Sequence, residues 1–117
     1  MPFNPEWDTK TAPLKTVLNV AADLIEKHGH LKNSLGNKQK GFCIVGALAE
    51  AARESFPPVA AHYPEGYHCA LGDAIDRIEK TLPKNKNGAN YIVNWNNDEK
   101  RTATEVINKL RETADAI

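Results

Sequence analysis

Cys43 and the four histidines are the residues whose types could support covalent chemistry. A cysteine in the first turn of a helix gains thiolate character from the helix dipole, and Lys40 just upstream adds a positive charge. Paired with a histidine base, His30 or His68 first and His28 or His62 after them, Cys43 would be the nucleophile of a cysteine-dependent hydrolase or transferase. Two features oppose that reading. Papain-type enzymes hold their histidine on a sheet, and no sheet is evident in the pattern of this chain. The run Ile44, Val45 and Leu48 behind the cysteine predicts a buried sulfur. The chain therefore reads as a non-enzyme, with the thiol enzyme as the alternative.

The same side chains could bind zinc. His28 and His30 flank Gly29, and His62, His68 and Cys69 lie in or beside one loop, so the donor types are right. The spacing matches no zinc cluster, and adjacent His68 and Cys69 would diverge on a helix. Neither a metal nor another cofactor is expected.

Binding has the broader support. Lys27, Lys32, Lys38 and Lys40 fall in a stretch without an acidic residue, the clearest charge asymmetry in the chain. This stretch leads through Gly41 into the amino end of an apolar helix, whose free amides favour anions. Lys38, Lys40 and Gly41 are thus candidate contacts for a small anionic molecule or a carboxylate-bearing protein partner, unless the loop is only a solvated basic segment. Gly36 and Gly41 have the spacing of a phosphate-binding loop, but Phe42 and Cys43 stand where lysine and a hydroxyl residue are required. A second cluster, Trp95, Asn96 and Asp98 with Arg101, gathers aromatic and polar groups near the start of the last helix. It could contact a ligand or simply plug the bundle and satisfy turn amides.

Composition bounds these readings. Fifteen basic and fifteen acidic residues cancel over 117 residues. This balance lacks the footprint of general nucleic-acid or anionic-membrane binding. No run is long enough to cross a membrane and no secretory leader opens the chain, so a cytoplasmic protein is expected, monomeric or homodimeric. Cys43 and Cys69 would be thiols there.

The elements that must position these residues are helical. The expected fold is all-α: a compact four-helix domain with helices at about 11–28, 42–56, 68–82 and 102–116, and at most one short extended segment near 90–95. Residues 1–10 read as an extended N-terminal arm and residues 11–117 as a single α-helical domain. Leu14, Val17, Leu18, Ala21, Leu24 and Ile25 recur at helical steps, and Gly29 closes that helix with a left-handed cap. The stretch from Gly41 to Pro57 is apolar around most of a helical circumference, which predicts a central element. Laying it on the third helix puts Cys43 over Cys69 and Gly46 over Gly72, as if two related helices crossed at their glycines. Lys84 to Gly88 is a polar turn, and Tyr91-Ile92-Val93 looks extended because its residues are aromatic and β-branched. Thr102 to Glu105 has the form of a capping box.

Three segments together resemble a family of small proteins of unknown function from actinobacterial and phage genomes. They are Ala21-Ala22-Asp23-Leu24-Ile25-Glu26-Lys27-His28-Gly29, Cys43-Ile44-Val45-Gly46-Ala47-Leu48, and Trp95-Asn96-Asn97-Asp98 with Arg101-Thr102 and Glu105-Val106. The order and rough spacing agree over about residues 14 to 114. In the family an aromatic often stands in place of His30 and an alanine in place of Ile44. The resemblance implies a single small domain and a phage-related origin, and it supplies no activity.

Overall fold

The computed structural model describes the backbone of residues 5–59, 62–83 and 91–117, and side chains within these ranges from residue 13 onward. Among the described residues there are five helices and one small hairpin: α1 (Pro5–His28), β1 (Gly36–Asn37), β2 (Gly41–Phe42), α2 (Ile44–Ser55), α3 (Glu65–Glu79), α4 (Tyr91–Asn97) and α5 (Ala103–Asp115). The architecture is mostly helical, as the periodicity predicts, but four helices become five. The turn expected at 84–88 lies outside the described residues.

Among the described residues α1 runs from Pro5, so residues 5–10 are helical and not part of an extended arm. Pro13 is then an interior proline. The side chains behind it still form one buried stripe, with Leu14, Val17, Leu18, Ala21, Ala22 and Ile25 almost wholly covered. Gly29, at φ 103°, ends the helix in the left-handed region, its amide donating to Ile25 O at 2.8 Å.

Helix α2 is central. Ile44, Ala47, Leu48, Ala51 and Ala52 are fully buried, and the helix packs against α1, α3 and α4. Helix α3 starts three residues earlier than expected, at Glu65, because Pro64 occupies its N-cap in an extended conformation. It does not cross α2 at paired glycines. A Cβ on Gly46 would lie 2.0 Å from Leu35 O, whereas one on Gly72 would meet nothing within 4 Å. The two helices share a spacing, and only one of them needs its glycine.

The segment near 90–95 is helical, not extended. Ile92 and Asn96, four residues apart, are both buried on one face of α4, and Ile92 N donates to Glu79 Oε2 at 3.1 Å. Burial of that face overrides the weak β preference of Tyr91, Ile92 and Val93. The extended backbone lies instead in the stretch read as loop. There β1 pairs antiparallel with β2, Gly36 opposite Phe42 and Asn37 opposite Gly41. Asn37 Oδ1 accepts from the amides of Gln39 and Lys40, both at 2.9 Å, and shapes the turn. Gly36 and Gly41 have φ of 90° and 97°, and a Cβ on Gly36 would sit 2.0 Å from Gly41 O. Both positions require glycine.

Candidate binding surface

At the amino end of α2 the expected anion site is occupied by the protein itself. Asn96 from α4 is fully buried, and its Oδ1 accepts from Ile44 N at 2.9 Å, the first amide of the helix. The same oxygen accepts from His30 Nε2 at 2.7 Å. Because Ile44 N can only donate, the amide orientation is fixed, and His30 carries its hydrogen on Nε2. Asn96 Nδ2 donates to Leu31 O at 3.1 Å and to Asn97 Oδ1 at 3.0 Å. All four hydrogen bonds open to an asparagine side chain are made.

Around this clasp the basic loop is tied down. Asn97 Oδ1 also accepts from Asn33 N at 2.8 Å, and Asn33 is left-handed at φ 64°, a conformation asparagine tolerates. Lys32 Nζ donates to Asp98 O at 2.7 Å and Glu99 O at 3.1 Å, placing a cation at the negative end of α4. Leu31 N donates to Phe42 O and Phe42 N to Gly29 O, both at 2.9 Å, stitching the loop to the second strand.

Cys43 is buried and stands at the N-cap of α2 rather than within its first turn. Its Sγ accepts from Gly46 N at 3.2 Å, a capping role usually taken by a hydroxyl or carboxylate oxygen. His30 is engaged with Asn96, and His68 lies exposed on α3 with its ring edge-on to Tyr67, centroids 5.1 Å apart. No hydrogen bond joins Cys43 to either. Cys69 is exposed and His28 packs against Phe42. Among the described residues no three histidine, cysteine, aspartate or glutamate side chains gather as a metal site.

Of the second predicted cluster, Trp95 and Arg101 meet each other. The Arg101 guanidinium sits 4.1 Å from the Trp95 ring centroid, Nε donates to Trp95 O, and Nη1 pairs with Glu105. Asp98 caps its own turn by accepting from Lys100 N at 3.0 Å. The capping box of α5 is complete, and the Thr102 backbone amide is the main reason the Glu105 carboxyl lies below its ordinary range. Trp95, Asn96, Asp98 and Arg101 thus hold α4, the basic loop and α5 together. Gly41 is buried within the same packing, where a Cβ would meet Gly29 O at 2.7 Å.

Lys38 and Lys40 are exposed at the hairpin turn, and Lys38 opens onto a different feature. A cleft of about 600 Å³ runs between the hairpin and α2, lined by Gly36, Asn37, Lys38, Gln39, Glu50 and Arg53. It adjoins a smaller one of about 200 Å³ between α2 and the start of α3, and the two share Gly36, Glu50 and Arg53. Leu35, Phe42, Gly46, Ala49, Tyr63 and Tyr67 complete the smaller cleft. Leu35 is 59% exposed and Tyr63 41%, two of the three exposed large hydrophobics among the described residues. The third, Val59, sits four positions before Tyr63 in the bridge it forms with His62.

The tyrosines are stacked, with ring centroids 4.4 Å apart, and burial followed by the nearby Tyr63 pushes the Tyr67 hydroxyl above its ordinary pKa. Arg53 Nη2 pairs with Glu50 Oε1, and that hydrogen bond raises the arginine pKa further. The sequence reading passed over Leu35, Glu50, Arg53, Tyr63 and Tyr67. The available signal was two tyrosines four apart at the entrance to a helix, beside prolines, in a chain with only three tyrosines.

The architecture and these two regions define a class: a small, mostly helical domain with a saturated internal clasp at the amino end of α2 and open cleft surface along its flank, besides a further cleft of about 520 Å³ between α3 and α5. The chain belongs to a family of unknown function, DUF6197, whose sequence profile matches residues 9–116. No curated protein and no solved structure matches the chain.

Proposed function

We propose that this protein acts by binding, and that its ligand, a partner protein or a small anionic molecule, enters the cleft between the hairpin, α2 and the start of α3. The observation that carries this reading is the juxtaposition of exposed Leu35 and Tyr63 with Arg53 and Lys38 across two adjoining clefts that share Gly36, Glu50 and Arg53. Tyrosine and arginine beside apolar surface are the groups that contribute most to protein contacts. The proposed site keeps Lys38 from the basic loop and replaces the amino end of α2 with its flank. A cytoplasmic, monomeric or homodimeric protein of phage-related origin remains the setting proposed for it, on the residue pattern and the resemblance described above.

The test is native mass spectrometry of protein purified from its host, together with Tyr63→p-benzoylphenylalanine photocrosslinking in the same cells. A bound mass or a discrete crosslink, lost with Arg53→Ala, is the expected result. Bare protein with no crosslink at position 63 would overturn the reading.

A further inference from the structure

The two halves of the cleft differ in chemistry, and together they specify what can fill both. The smaller half, about 200 Å³, shares Glu50 and Arg53 with the larger at its border and adds Leu35, Phe42, Ala49 and the two tyrosines, which suits about one apolar side chain. The larger half carries Lys38 and Arg53 against a single acid, Glu50. Glu50 engages Nη2 of the guanidinium and Tyr63 adds a side-chain hydrogen bond to it, but a guanidinium has five N–H donors, so N–H groups remain for another acceptor. An occupant spanning both halves is therefore apolar at one end and anionic at the other.

The openness of the site selects a protein over a small molecule. A small ligand is held where most of its own surface is covered. Here Leu35 is 59% exposed and Tyr63 41%, so the walls leave one side uncovered. A chain segment belonging to a folded partner brings its own cover, and exposed apolar rims of this kind are what such contacts bury.

We infer that the cleft receives an extended segment of a partner protein, with an apolar side chain seated against Leu35, Phe42 and Tyr67 and a neighbouring carboxylate held by Arg53 and Lys38. This rests on the binding role proposed above and names its partner by chemistry. A basic segment is disfavoured by the same two cations.

The experiment is an amide-resolved NMR titration of the full chain with three probes. These are an acetylated, amidated tetrapeptide of two leucines and two aspartates, its counterpart with two lysines for the aspartates, and phenylacetate as a small acid with an apolar body. The expected result is that the acidic peptide shifts amides of residues 35–39, 46–53, 63 and 65–67 and binds at least tenfold more tightly than either other probe. Arg53→Ala should lower its affinity about tenfold and Lys38→Ala less, with an otherwise unchanged spectrum. Phenylacetate binding as tightly as the acidic peptide would overturn the partner-segment inference and leave the binding role standing. Equal binding of the basic peptide would overturn the carboxylate contact. Silence with all three probes would overturn the inference and the cleft as the binding site together.

Discussion

The two regions that flank α2 are built from neighbouring residues of the same loop, yet they end in opposite states. At the amino end, Asn96, His30, Leu31, Asn33 and Asn97 close on one another, and no buried side-chain nitrogen or oxygen among the described residues lacks a partner. Along the flank of the same helix, Leu35, Lys38, Arg53 and Tyr63 present apolar and cationic surface to solvent. A polar cluster whose hydrogen-bond capacity is used up has nothing left for a ligand. Cation and apolar surface left unspent is where a ligand gains.

The sharpest way to break the clasp is Asn96→Asp. A carboxylate there would set an acceptor against Leu31 O and Asn97 Oδ1, where the amide nitrogen now donates to both. The expected cost is about 4 kcal/mol, read by chemical denaturation. A loss under 1 kcal/mol would show that the network is dispensable. Gly46→Ala tests the border between the regions, since its Cβ would meet Leu35 O at 2.0 Å. The Leu35 carbonyl is backbone and cannot yield cheaply to the added methyl, so a loss of about 3 kcal/mol is expected, with altered amide shifts around Leu35.

Smaller effects belong to the periphery of the clasp. Thr102→Ala removes the side-chain half of the α5 capping box and should cost about 1 kcal/mol. Glu105 supplies a pH test. Its carboxyl is lowered in the folded state, chiefly by the Thr102 amide, so its contribution is complete above the ordinary carboxyl range. That contribution is lost as pH falls through the lowered value. A carboxyl-resolved NMR titration that placed Glu105 at an ordinary value would refute the box. Lys38→Ala and Lys40→Ala stand at the other extreme, with stability changes expected within about 0.5 kcal/mol. A larger change in the melting transition would assign those lysines to the scaffold.

Helices with strong periodicity were legible in the sequence, and so was the capping box, because each depends on local spacing. Leu14 to Ile25 could be read from side-chain order alone, and Gly29 closes that helix as expected. Helix α4 was not legible. Its residues favour strand locally, and the partners of buried Asn96 lie far away in sequence, Ile44 at 52 residues and Leu31 at 65. The same non-locality hid the fate of the α2 amino end. The free amides at the start of α2 call for an acceptor, but nothing local to Gly41–Cys43 says that Asn96 supplies it. Tyr63 and Tyr67 sat in plain view, and their meaning depended on Leu35 and Arg53 arriving beside them.

The pairing of α1 with α5 bears on how the chain can be made. These helices, first and last in sequence, pack along each other, and Arg111 joins them by reaching both Asp23 and Glu26 at 2.8 Å. During synthesis α1 leaves the ribosome long before α5 exists to pack on it, so part of its apolar stripe stays uncovered until α5 emerges. The nascent chain is therefore most open to aggregation and to chaperone capture in the interval before α5 docks.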